Sequence, residues 1–204
     1  FTQATAGSVP SGNFDGKMIL IESLWDREAY PWSADWYRAR VAKHFGKATD
    51  AHFRLWYTDH ALHGDATKQE DGTRTVSYLG VLQQALRDVV DWVEKGTPPP
   101  ASTAYRIDDG QVKVAASATA RHGVQPVVTL QANGSDRAVV KAGQAVTLTG
   151  TIAAPANSGS VVAADWAFDA ALTTPGTYSQ HDQPMAGRRA VRLVVRHVFD
   201  KPGT

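Results

Sequence analysis

Met18-Ile19-Leu20-Ile21, which breaks at Ser23-Leu24-Trp25-Asp26, and His52-Phe53-Arg54-Leu55-Trp56-Tyr57-Thr58, which breaks at Asp59-His60-Ala61-Leu62-His63-Gly64-Asp65, decide how this chain is read. The first is a continuous apolar run of the kind that forms a strand buried on both faces of a parallel sheet. Asp26 therefore stands just past one strand end, and His63 stands in the loop at the carboxyl end of a neighbouring strand. In open α/β sheets the ligand crevice lies outside the carboxyl ends of the strands, so both side chains are expected to face one crevice.

Working outward, a parallel pair needs a crossover, and the intervening residues supply one. Ser33 is read as the N-cap of a helix in which Tyr37, Val41 and Phe45 recur at four-residue spacing and Gly46 is the terminator. Beyond His63 a second helix is expected from about Val76 to Lys95, with Leu79, Leu82, Leu86, Val89, Val90 and Val93 as one apolar stripe packed on the sheet. Gly96 and Pro98-Pro99-Pro100 stop it.

An acid after one late strand and a histidine after the next resemble the C-terminal half of an α/β-hydrolase, whose triad runs in the order nucleophile, acid, histidine. The family's acid strand often ends in a G-x-x-D pattern, matched by Ser23-Leu24-Trp25-Asp26, and Asp59-His60-Ala61-Leu62-His63 occupies the place of P-G-x-x-H. Serine replaces the glycine at 23, and Asp59 and His60 also depart from the pattern. The resemblance implies Asp26 as the triad acid and His63 as the general base, with the Val76 to Lys95 helix as the last of the fold.

No G-x-S-x-G occurs in the chain and it has no cysteine, so the nucleophile is missing. Gly7-Ser8-Val9-Pro10-Ser11-Gly12 has the residue types with the wrong spacing, in a run that reads as a loop. The family's nucleophile elbow lies on an earlier strand. A chain beginning at Phe1 is thus expected to be a fragment or a processed subunit, partnered by the N-terminal half of the same hydrolase.

In such a site His63 takes the proton of a serine hydroxyl, a task suited to a pKa near ~6.5, and Asp26 fixes its tautomer. Glu22 and Glu28 are the rival acids, one inside the strand pattern and one past the turn. Asp59 and Asp65 orient the loop or cap the segments around it, and Asp35 belongs in the first turn of the first helix, where negative charge is favourable. Trp25, Tyr30 and Trp32, with His60, are read as substrate-binding; the aromatic cluster, which includes Trp36, equally suits packing of the acid loop onto the helix. The H-x-x-H spacing of His60 and His63 is compatible with a metal, but the strand context favours the triad, so no metal and no cofactor is expected.

Composition shifts near residue 97, where helix formers give way to alternating Thr, Ala, Val, Gly and Gln. Asp108-Asp109-Gly110-Gln111, between Tyr105-Arg106-Ile107 and Val112-Lys113-Val114, reads as a hairpin turn. Strands are expected at Val127 to Gln131, Ala138 to Val140, Val146 to Ile152, Ala163 to Phe168 and Arg192 to Phe199, the pattern of an antiparallel sandwich. Pro126 to Leu130, Ala142 to Leu148, Asp165-Trp166-Ala167-Phe168-Asp169 and His197 to Thr204 resemble a PKD-type immunoglobulin-like domain. That family carries a W-D-F-G-D-G run and a Y-x-x-P-G-x-Y turn before its closing strand. Here Trp166-Ala167-Phe168-Asp169-Ala170-Ala171 lacks the glycines and Val198 to Thr204 keeps the turn without a following strand.

The expected class is therefore α/β followed by all-β: residues 1–97 the C-terminal portion of a hydrolase domain, 98–124 a linker with a hairpin, and 125–204 an incomplete sandwich. With 43% hydrophobic and 20% charged residues and a formal net charge of +1, the chain can bury a core and has no global pull toward nucleic acid. No apolar run approaches the ~20 residues of a membrane span. The expected function is part of a serine hydrolase acting on a small carboxylic ester. The alternative is a non-catalytic binding or spacer protein whose immunoglobulin-like module makes extracellular contacts. The PKD resemblance implies a secreted or periplasmic setting.

Overall fold

The computed structural model describes residues 9–65, 70–168, 180–181 and 187–202. Gly7 and Ser8, the Asp169-Ala170-Ala171 end of the tryptophan motif, and Gly203-Thr204 lie outside them.

The architecture is mixed α/β, built from small sheets and few helices. β1 (Met18–Ser23) and β2 (Phe53–Thr58) pair in parallel, Met18 opposite Phe53 and Ser23 opposite Thr58, so both strands end level. Between them run α1 (Trp32–Phe45), a 3₁₀ turn and the short α2 (Thr49–His52). Alternate side chains of β1 serve opposite faces. Met18 and Leu20 pack with the α1 residues Ala34 and Val41 against Phe53, Leu55 and Tyr57, whereas Ile19 and Ile21 pack against Trp56, Val81 and Ala85. Val81 and Ala85 belong to α3 (Leu79–Lys95), so α1 covers one face of the pair and α3 the other.

Several local expectations change. Ser33 lies inside α1, whose N-cap position is Pro31 without a side-chain cap; the Ser33 amide instead closes a turn on the Tyr30 carbonyl at 2.9 Å. His52 belongs to α2. β2 is buried along its whole length, but β1 is only half-buried up to its last residue, because no strand flanks its outer edge among the described residues. α3 starts at Leu79, where Asp65 accepts hydrogen bonds from the Ser77 hydroxyl and the Leu79 amide. It buries Val81, Ala85 and Trp92. Leu79, Leu86, Val90 and Val93, assigned to the sheet-facing stripe, are exposed, Val93 to 62%. The helix has two adjacent apolar flanks, and the one carrying the tryptophan wins the sheet.

Residues after α3 close the far edge of β2. The Thr103 amide donates to the Leu55 carbonyl at 2.9 Å, and the Ser102 and Thr103 hydroxyls accept from the Leu55 and Tyr57 amides. The hairpin is present as β3 (Tyr105–Asp108) and β4 (Gln111–Val114), with Asp109 and Gly110 both at positive φ as a primed turn requires. Tyr105, Val112 and Val114 extend the α1-side core. α4 (Ala118–Arg121) follows, capped by Ser117.

β5 (Val127–Ala132), β6 (Ala145–Ala153) and β9 (Ala190–Val198) form a three-stranded antiparallel sheet in the order β5-β6-β9. Ala138 to Val140 is not a strand, and the Ala163 to Phe168 strand shrinks to β7 (Asp165–Trp166), paired with β8 (Gln180–His181). Trp166 is buried against Gly150 of β6, where an added Cβ would stand 3.3 Å from the indole. Phe168 stacks on His197 of β9, centroids 4.0 Å apart. The described residues thus form a small antiparallel sheet with an aromatic seam, and neither a seven-stranded sandwich nor a full hydrolase sheet.

Candidate functional site

Because β1 and β2 end level, the residues that follow them emerge side by side. The Leu24 amide donates to the Thr58 carbonyl at 2.9 Å and the Trp25 amide to the Ala61 carbonyl at 3.0 Å, which ties the acid loop to the histidine loop. Asp26 sits on this seam, 9% exposed. Its Oδ1 accepts the backbone N–H groups of Glu28 at 2.7 Å and Ala29 at 2.8 Å, an Asx-type turn that leaves Oδ2 for another donor. That donor is His63, whose Nδ1 lies 2.8 Å away.

The electrostatics follow from these contacts. Burial pushes the Asp26 carboxyl upward, but the Ala29 and Glu28 amides and the His63 hydrogen bond outweigh it and hold the carboxyl below its ordinary value. For His63 the hydrogen bond to Asp26, the Asp26 charge and the Glu28 charge act together and raise the imidazole pKa. With Nδ1 committed to the carboxylate, the proton stays on that nitrogen and the neutral ring presents Nε2 as a base. The ring is 51% exposed, and Glu28 Oε2 is 3.9 Å from Nε2. Among the described residues no serine or threonine hydroxyl hydrogen bonds to Nε2.

Of the rival acids, Glu28 stays at the rim with its side chain 74% exposed. Glu22 is half-buried on β1, and its carboxyl is pushed up to about 7 by burial and by the Asp26 charge. A group charged only near neutrality is a poorer partner for an imidazolium than the depressed Asp26 carboxyl.

The four residues read as substrate-binding divide into two pairs. Tyr30 and Trp32, with Leu24 and Pro31, line a cavity of about 220 Å³ whose opposite wall is Gly110, Gln111 and Val112 from the β3–β4 hairpin. Trp25 and His60 instead pack on each other with their rings tilted by 37°, centroids 4.4 Å apart, and are not among the residues lining that cavity. His60 Nδ1 lies 3.1 Å from Asp59 Oδ1, so the two histidines of H-x-x-H engage different carboxylates. Among the described residues no group of three His, Asp or Glu side chains is placed to hold a metal ion. Asp35 lies in the first turn of α1 and accepts the Tyr105 hydroxyl.

Residues that sequence reasoning did not single out hold the histidine loop from below. Arg121 Nη1 is 3.2 Å from Asp59 Oδ2, and its Nε donates to the Ala115 carbonyl at 2.6 Å. The Gln125 side-chain amide takes both backbone groups of Asp59, accepting its N–H at 2.8 Å and donating to its carbonyl at 3.0 Å. Nothing in the spacing of Asp59, Arg121 and Gln125 signals this contact.

No helix among the described residues is long and apolar enough to cross a membrane. The chain matches no protein-family model, no curated protein and no solved structure.

Proposed function

We propose that the chain supplies the acid and the general base of a Ser-Asp-His hydrolytic site of the α/β-hydrolase kind, acting on a small carboxylic ester, with the nucleophile contributed from outside the described residues. The observation that carries the reading is the 2.8 Å contact between Asp26 Oδ2 and His63 Nδ1, made at the level carboxyl ends of two parallel strands with Nε2 left accessible. In the reaction His63 Nε2 takes the proton of the serine hydroxyl as its oxygen attacks the ester carbonyl. The imidazolium, stabilised by Asp26, then returns that proton to the leaving alkoxide. Water repeats the cycle on the acyl intermediate with the same base. Tyr30 and Trp32, half-exposed in the cavity they share with the β3–β4 hairpin, are the aromatic surfaces proposed to take the acyl or aryl group.

Two unfilled surfaces support a contribution from elsewhere. The far edge of β2 is covered by Ser102 and Thr103, so among the described residues this sheet is open at β1, whose apolar side chains are half-buried. The exposed flank of α3 is continuous with the one it buries and is apolar enough to take further cover. Both fit the N-terminal part of such a hydrolase, as a preceding segment or a separate subunit. A PKD-like module would place the protein in a secreted or periplasmic setting. A contact role for the β5-β6-β9 sheet is the second reading, favoured by Val128 and Leu130, which are exposed on one face of β5.

Turnover of a simple aryl ester by the naturally made polypeptide that contains this chain tests the reading. His63→Ala is expected to abolish turnover with folding intact, Asp26→Asn to lower it by about 10⁴, and His60→Ala to change it little. Turnover in His63→Ala comparable to wild type removes His63 from the mechanism.

A further inference from the structure

The histidine loop is short, exposed at its tip and unusual in its backbone, with His60 at a φ of 63°. Such a conformation is costly for a residue with a side chain and persists only where the surroundings impose it. Four successive residues show what imposes it. The Asp59 backbone is held at both polar groups by Gln125 and its carboxylate by Arg121. The His60 carbonyl accepts the Val76 amide at 3.0 Å, and its ring lies against Trp25. The Ala61 carbonyl accepts the Trp25 amide, and Ala61 and Leu62 are buried. His63 follows directly.

Arg121 is the anchor of this arrangement. Its side chain is only 10% exposed, it is aimed at Asp59 through Nη1, and it is fixed by its own Nε at Ala115. Its backbone is fixed too, since its carbonyl accepts the Ala104 amide at 2.7 Å. Gly123, at a φ of 69°, sits where an added Cβ would come 2.6 Å from the Thr103 hydroxyl, which locks the turn carrying Arg121 and Gln125 against the segment that edges β2. Arg121 is buried and Asp59 partly so, and removing Asp59 would leave the buried guanidinium charge without its partner.

We infer that Arg121 and Gln125 are positioning residues for His63: the end of α4 and the turn that follows it clamp Asp59 and so set where the imidazole meets Asp26. This rests on the reading of His63 as the base, but the geometry it asserts can be read without any turnover. Arg121 lies in the stretch that sequence alone marks as a linker, and Gln125 is the first residue of the expected sandwich. The clamp thus makes that stretch part of the site's support.

The test is two-dimensional NMR of the imidazole groups of this chain. In the wild type the Nδ1 proton of His63 is expected far downfield and its titration displaced upward. Arg121→Met should erase the downfield signal and move the His63 midpoint back toward an unperturbed histidine, and Arg121→Lys should restore part of both. Val41→Ala, a remote core truncation, should leave both unchanged although it lowers stability. If Arg121→Met does not fold, Gln125→Ala, which removes the amide but no charge, should shift the same two signals in the same direction. An unchanged His63 signal in a folded Arg121→Met or Gln125→Ala chain overturns the inference. If the signals respond as expected but His63→Ala retains ester turnover in the natural polypeptide, the clamp stands and the hydrolytic reading falls.

Discussion

Replacing Glu22 by glutamine isolates the carboxyl group beside the site that burial drives in the unfavourable direction. Glu22 stands opposite Tyr57 in the strand register, and desolvation, reinforced by the Asp26 charge, moves it from 4.5 up to about 7 against the Ser23 backbone hydrogen bond and His63. Its folded pKa therefore lies above its unfolded one, so the unfolded chain releases this proton first. Stability is lost as pH rises through the window from 4.5 to about 7, and the loss is complete above it. At about 1.36 kcal/mol per pH unit the full displacement sets a ceiling of roughly 3 kcal/mol, and partial exposure reduces it to about 1–2 kcal/mol. Urea unfolding of wild type and Glu22→Gln between pH 4.5 and 8, followed by tryptophan fluorescence, reads the difference, because titrating groups that do not interact with Glu22 cancel between the two chains and His63, which does, makes only a smaller contribution. The gap should open in favour of Glu22→Gln by about that amount as pH rises. A gap that stays constant, or opens the other way, refutes the placement of Glu22 in a desolvated position.

Further outcomes follow from packing. Leu55→Ala, at a side chain with no exposed surface in the middle of β2, should cost about 2–5 kcal/mol in urea unfolding with an unchanged slope. Gly12→Ala should cost more than about 1 kcal/mol, since Gly12 has a φ of 81° and an added Cβ would stand 2.4 Å from the Arg40 carbonyl carbon. Gly16→Ala, at a φ of 92° with nothing within 4 Å, carries the strain without the collision and should cost less.

The strand, helix, strand unit was readable because β2 is an uninterrupted buried run and β1 is apolar at every position from Met18 to Ile21. The same reading brought Asp26 and His63 together, since level strand ends put their following loops side by side. It failed at α3 for a specific reason. Leu79, Leu86 and Val93 make a more continuous stripe than Val81, Ala85 and Trp92, and periodicity finds apolar flanks without saying which one meets the sheet. It failed at Ser33 because a Tyr30-Pro31 turn starts the helix without a side-chain cap. The Arg121 and Gln125 contacts with Asp59 were invisible, because a pairing across more than sixty positions leaves no local pattern. In the β-rich half the strands with regular alternation, β5, β6 and β9, were found nearly to their ends, whereas β7 keeps only the two residues that form its pairing with β8.

The dyad itself is tested most directly by titrating the His63 imidazole by NMR in the wild-type chain and in Asp26→Asn. A carboxylate bonded to Nδ1 predicts a wild-type midpoint above the ordinary 6.5, a downfield Nδ1 proton, and the loss of both in Asp26→Asn. A His63 midpoint at or below 6.5 in the wild type, indifferent to Asp26→Asn, would contradict the pairing on which the proposed chemistry depends.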